Sequence, residues 1–215
     1  MLMTLTSLFV VLTALRGQAV AAPATTSQAF VTKFDDLTPT KLSMVKPIPG
    51  PQDGLFFGGF TYRSDGIPQI VAKSPPNLIG FSNLRKTLGL AAPISNIRTK
   101  YPGSNVKSYR LTSAFIACSI SGTSVVPPVG GISLPPPTIP QPCEIKFTAT
   151  TAKGKVASQT CSYSGTSLDP ALQSCFFDQT KFADVVTVVV DLESALTLTE
   201  TTTVQMDDVA HTNYY

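Results

Sequence analysis

The sequence contains no tryptophan, a single histidine (His211), and charged residues at only 13% of positions. Each shortage excludes a class of function. His211 stands near the C-terminal end and no Gly-x-Ser-x-Gly turn occurs to present a serine, so nucleophilic hydrolysis lacks its parts. A copper monooxygenase would need two histidines, one of them N-terminal in the mature chain. The formal net charge of +3 is scattered rather than gathered on one stretch, which argues against nucleic acid as a partner. Without tryptophan, any stacking on sugar rings falls to phenylalanine and tyrosine. No Asn-x-Ser/Thr sequon is present, so N-glycosylation is not expected.

Long apolar runs are also scarce. Residues 5–15 are apolar, Arg16 interrupts, and small residues follow as far as Ala19-Val20-Ala21. That build predicts a signal peptide over 1–21. The run falls short of the about 20 residues that a spanning helix requires. The expected product is secreted, extracellular or in the cell wall, with no membrane segment after cleavage. Its C-terminus has no hydrophobic tail for a lipid anchor. Residues 22–29 read as a short linker and 30–215 as one domain.

What the chain does have is threonine, serine, valine, glycine and 18 prolines, with 43% hydrophobic residues. Such a composition favours short strands and tight turns, with enough apolar surface to form a core. Strands are expected near 30–37, 55–62, 78–81, 109–120, 143–150, 156–163, 185–192 and 202–212, with a turn at Ser74-Pro75-Pro76-Asn77. In 109–120, Leu111, Ser113, Phe115 and Ala117 are expected to share a face. Ile145, Phe147 and Ala149 should be buried together, and Lys153-Gly154 should turn a hairpin. Gly58-Gly59 suggests a bulge or a close approach of backbone. The stretch 82–103 has room for a short helical turn, and 126–142 is a proline-rich loop, an exposed semi-extended arm. Together these predict an all-β fold, a single antiparallel β-sandwich.

Four cysteines, Cys118, Cys143, Cys161 and Cys175, form no CxxC or CxxH pair, so in a secreted chain they read as disulfides rather than zinc ligands. Three pairings are possible. Cys118 with Cys143 and Cys161 with Cys175 is preferred, because each pair then closes an excursion between neighbouring β segments.

Phe34-Asp35-Asp36-Leu37, the Gly-rich aromatic segment 55–60, Ser74-Pro75-Pro76-Asn77, Ser113-Ala114-Phe115-Ile116-Ala117-Cys118 and Met206-Asp207-Asp208-Val209 follow one another along the chain. In this order they resemble a broad group of uncharacterised secreted fungal proteins. The resemblance implies a jelly-roll sandwich similar to carbohydrate-binding modules, and implies no activity. The proline-rich loop and the pair Cys161 and Cys175 depart from the pattern.

The acidic pairs are the candidate metal site. If the first and last strands lie side by side, Asp35, Asp36, Asp207 and Asp208 could hold a structural calcium ion, which takes six to eight oxygen ligands. The other reading is that they are solvated or bond a turn. Phe56, Phe57, Phe60 and Tyr62 could form a ligand face, or the phenylalanines could be core; Tyr62 and Tyr101 suit exposed contacts. Phe57, Tyr62 and Tyr101 are the candidate ligand-binding residues. The leading expectation is a non-catalytic module for cell-wall or extracellular carbohydrate. An extracellular structural or host-interaction (effector-like) protein, engaging another protein through its arm, is the alternative. A polysaccharide hydrolase or lyase comes third, because no paired carboxylates in an aromatic cleft can be discerned.

Overall fold

The computed structural model describes residues 26–38, 45–64, 70–82, 94–121, 138–195 and 202–215. The expected signal peptide, the start of the linker, the arm through 137 and residues 83–93 lie outside the described residues. Within them there are 13 strands and no helix. They are β1 (Ser27–Thr32), β2 (Lys46–Pro47), β3 (Phe56–Gly58), β4 (Thr61–Ser64), β5 (Asn77–Ser82), β6 (Asn96–Arg98) and β7 (Ser108–Ser121). The rest are β8 (Thr138–Pro140), β9 (Cys143–Thr151), β10 (Val156–Tyr163), β11 (Gln173–Phe176), β12 (Val185–Ala195) and β13 (Thr202–Tyr214). Every pairing is antiparallel.

The ladder folds into two layers. In one, β7 and β13 are central: β11 and β8 pair with the outer edge of β7, and β1 and β5 with the far edge of β13, after which come β4 and β2. The other runs β10, β9, β12, β6, β3. Among the described residues only the Val185 to Tyr109 pairing joins them along the ladder. Both disulfides also join the layers: Cys118 of β7 to Cys143 of β9, and Cys161 of β10 to Cys175 of β11.

Residue pattern explains most of this. Along β9 the side chains alternate, so that Ile145, Phe147 and Ala149 are buried and Glu144 is exposed. The hairpin to β10 turns at Gly154, whose φ of 74° suits glycine. β12 is flanked by β9 and β6, where a β-branched run fits a strand paired on both sides. Between the layers, Phe147 meets the edge of Phe177 at 4.8 Å and Phe177 packs on Phe182 at 4.9 Å.

Several expectations are corrected. The first strand is Ser27–Thr32 rather than 30–37, so the end of the linker belongs to the sheet; Phe34 at φ 64° ends it. The aromatic segment 55–62 is not one strand with a bulge; of the two readings of Gly58-Gly59, the close backbone approach is the one found. Gly59 (φ 76°) breaks the segment, passing the chain from β3 in one layer to β4 in the other, and a Cβ there would lie 2.9 Å from the Ile94 carbonyl oxygen. The arm is not wholly loop, because Thr138–Pro140 pairs with β7 as an edge strand, where proline is tolerated. In β7 the expected face holds only at Leu111. From Ala114 onward Ala114, Ile116 and Cys118 point inward, while Ser113 and Phe115 turn out.

Candidate functional site

The changes of phase in β13 and β7 come from two register shifts in their pairing. Between Asp207 and Ala210 the extra residue lies in β13, where Asp208 takes a left-handed φ of 44°; between Ala210 and His211 it lies in β7, which passes from Ser113 to Leu111 opposite them. A bulge adds a residue and exchanges the two faces of a strand. In β13, therefore, Val204 and Met206 face inward before the bulge and Val209, His211 and Asn213 after it.

Because β1 pairs with β13 up to Thr32 opposite Val209, the turn at 33–37 emerges beside this bulge. The turn is closed by the Leu37 N–H donating to the Phe34 carbonyl at 3.2 Å. Asn77, fully buried, holds it: its side-chain amide donates to the carbonyls of Phe34 (2.9 Å) and Leu37 (2.8 Å), and its oxygen accepts from the Ser64 hydroxyl at 2.7 Å. Ser74 binds the bulge, its N–H donating to Asp207 Oδ2 at 3.0 Å and its hydroxyl to Asp208 Oδ1 at 2.7 Å. Three sequence motifs thus meet at one junction.

The aspartates there differ in role. Asp207 is wholly buried and also accepts from the Asp208 N–H at 2.8 Å; burial pushes its pKa up to about 7 against those hydrogen bonds. Asp208 is half-buried. Asp35, half-buried, has one buried oxygen without a hydrogen-bond partner, and its pKa is raised first by burial and then by the charge of Asp208, with Lys33 acting the other way. Asp36 is exposed. Among the described residues no group of three or more His, Cys, Asp or Glu side chains is arranged to hold a metal ion.

An open cleft of about 390 Å³ runs beside the turn, lined by residues 31–36 and 51–53. Its second wall is a tight loop in which Asp53 (φ 45°) and Gly54 (φ 80°) turn the chain between Gln52 and Leu55. Asn213 and His211 secure that loop from below. The Asn213 amide donates to the Asp53 carbonyl at 2.8 Å, and Nε2 of His211 lies 3.3 Å from the same oxygen, while its Nδ1 lies 3.3 Å from the Val209 carbonyl. His211 is buried, stacked on Phe30 at 5.4 Å, and burial lowers its pKa. It is a core residue.

The three candidate ligand contacts part company. Phe57 is 3% exposed and packs on Phe34 and Phe60; Tyr62 is 5% exposed, its hydroxyl donating to the Thr38 carbonyl. Both are core: for Phe57 this is the second of the two readings open from the sequence and removes it as a ligand contact, and for Tyr62 it corrects the expectation of an exposed contact. Tyr101 is half-buried and anchored by its hydroxyl to the Gly54 carbonyl at 3.2 Å. Its ring lies 6.3 Å from that of half-buried Phe56, over which the Arg98 guanidinium sits at 4.8 Å. Arg98 carried no signal in the sequence, because its neighbours on the sheet come from distant segments. Ser74 and Asn77 had one, as a turn motif, but their long-range bonds were not readable.

Among the described residues no helix is long and apolar enough to cross a membrane. No family model, curated protein or solved structure matches the chain, so its function is argued from the site itself.

Proposed function

We propose that the protein is a secreted, non-catalytic β-sandwich module that binds cell-wall or extracellular carbohydrate at the surface around Phe56 and Tyr101. The observation that carries this reading is the half-exposed pair of rings, held on a rigid strand and by the Tyr101 bond to Gly54. Aromatic faces offer a sugar ring contact area at small conformational cost, while the tyrosine hydroxyl stays polar. The adjoining loop at 51–55 continues to the cleft, whose polar wall offers donors and acceptors for sugar hydroxyls. Catalysis has less support: Asp207, the carboxyl whose pKa stands near 7, is sealed from any substrate.

A calcium ion at the acidic junction belongs to the same proposal, in narrowed form. Asp207 is engaged by two backbone N–H groups, which leaves Asp35, with its unpartnered buried oxygen, and Asp208 as the ligands. Carbonyls and water would complete the shell. Calorimetry with calcium on the chelated protein tests it, and an absence of both heat and any rise in Tm would dismiss the ion.

Binding is tested by pull-down on insoluble polysaccharides and by glycan array. Retention is expected, and is expected to weaken about tenfold in Phe56→Ala and Tyr101→Ala. Failure to bind any glycan, with capture of an extracellular protein instead, would replace this reading with the host-interaction one.

A further inference from the structure

Six buried side-chain polar atoms have no hydrogen-bond partner among the described residues, and two of them, Asn96 Oδ1 and Arg98 Nε, lie on the three-residue strand β6. Both residues point to the outer face, because Ile97 between them is wholly buried. A buried polar atom left unpaired is uncommon enough to require an explanation. Arg98 forms no ion pair among the described residues, although arginine readily engages carboxylates with its planar fork. Its position is nevertheless fixed, by the Phe56 ring beneath it. Asn96 is fixed as well: its amide nitrogen donates to the Ile94 carbonyl at 2.8 Å, and its side chain occupies the space above Gly58, where a Cβ would come within 3.0 Å of Oδ1.

The strand register extends the surface. Phe56 pairs with Arg98, Arg98 with Thr187, Thr187 with Thr150 and Thr150 with Val156, giving a transverse row on the outer face that contains no carboxylate. Asn96 is one rung away, about 7 Å along the strand. A pre-positioned guanidinium, threonine hydroxyls and an aromatic ring are thus adjacent, whereas Asn96 Oδ1 is packed against Gly58 and holds the strand rather than a ligand. The guanidinium suits an anion; the hydroxyls and ring suit a polyol.

We propose that this face selects acidic polysaccharide, with the guanidinium of Arg98 taking the carboxylate of a uronic acid residue beside the Phe56 ring. The proposal rests on the carbohydrate-binding reading and specifies its ligand. The net charge of +3 favours approach of such a polymer, in a salt-dependent manner.

The experiment uses polygalacturonate, the same polymer fully methyl-esterified, and a neutral β-glucan, measured by affinity electrophoresis and calorimetry on the full chain. The wild type is expected to bind the free acid at least tenfold more tightly than its ester. Arg98→Ala should abolish that preference, and Arg98→Lys should restore part of it, because charge survives and the fork does not. Equal wild-type binding to acid and ester would overturn the inference and leave the module reading standing. Failure to bind any of the three would remove both. Displacement by polyglutamate as effectively as by polygalacturonate would show a carboxylate peptide to be the ligand and overturn the polysaccharide assignment. Unchanged circular dichroism and Tm in each variant exclude misfolding as the cause.

Discussion

The side chain of Asn77 reaches two carbonyls from the turn at 33–37 and one hydroxyl from β4. Replacing it with alanine removes all three bonds, of which that to the Leu37 carbonyl is the most costly, since the Phe34 carbonyl keeps the Leu37 N–H. Asn77→Ala is expected to cost about 1–3 kcal/mol, the range for removing the partner of a buried polar group. Urea denaturation measures it, and a loss under about 1 kcal/mol would mean that the turn is held by other contacts. Asp207 acts through charge instead. Its folded pKa, near 7, stands above the about 3.9 of an unfolded aspartate. Between those values the native state binds the extra proton, so this contribution is complete below about pH 4 and is lost as pH rises through about 7. Asp35, also raised by burial, adds in the same direction; His211, lowered by burial, opposes it, contributing above about pH 6.5 and losing that contribution on acidification. Asp207→Asn should therefore flatten the fall in Tm between about pH 4 and 7. An unchanged slope would assign the pH dependence elsewhere.

At the scale of elements, the two faces of β7 provide the sharpest test, because alternation in the sequence and the structure disagree there. Sequence parity put Phe115 with Leu111 on one face; the structure buries Ile116 completely and leaves Phe115 half-exposed, beneath the Lys73 ammonium at 5.1 Å. Ile116→Ala should then cost about 2–5 kcal/mol, the range for a core truncation, and Phe115→Ala about 1 kcal/mol or less. The reverse order in thermal melts would restore the simple alternation. The disagreement shows what a linear pattern can carry. The β9 and β10 hairpin and the valine run of β12 were legible, since each is defined by its own alternation, turn glycine or β-branching. The register shifts between β7 and β13 were not, because each is a property of a pair of strands that lie about 95 residues apart along the chain. The acidic motifs could be expected to meet once the first and last strands were neighbours, and the core reading of Phe57 was open from its residue type, whereas the burial of Tyr62 required knowing that the chain changes layers at Gly59. Arg98 and Asn96 gain significance only from the strands beside them.

For the whole molecule, the central fact is that among the described residues the two layers share one ladder position, Val185 with Tyr109, and are otherwise held by the packed core, a few hydrogen bonds such as that of the Tyr109 hydroxyl to the Ile97 carbonyl, and two disulfides that both cross between them. The cross-links close segments 25 and 14 residues apart in sequence, and those segments do not overlap. Each should restrict the unfolded chain independently, contributing about 3 kcal/mol in the chain-entropy model. Cys118→Ala with Cys143→Ala, and Cys161→Ala with Cys175→Ala, are therefore expected to lower stability by similar amounts, and the fourfold variant by about twice as much. Because a domain commonly has only about 5–15 kcal/mol in total, the fourfold variant should stand at the edge of folding. Its remaining structure should lie in β13 and its neighbours β7, β1 and β5, which pair over long runs without any cross-link between them. Denaturation of the variants and hydrogen exchange on the reduced protein measure this. Superimposable denaturation curves with and without reductant would show that the packed core alone keeps the layers together.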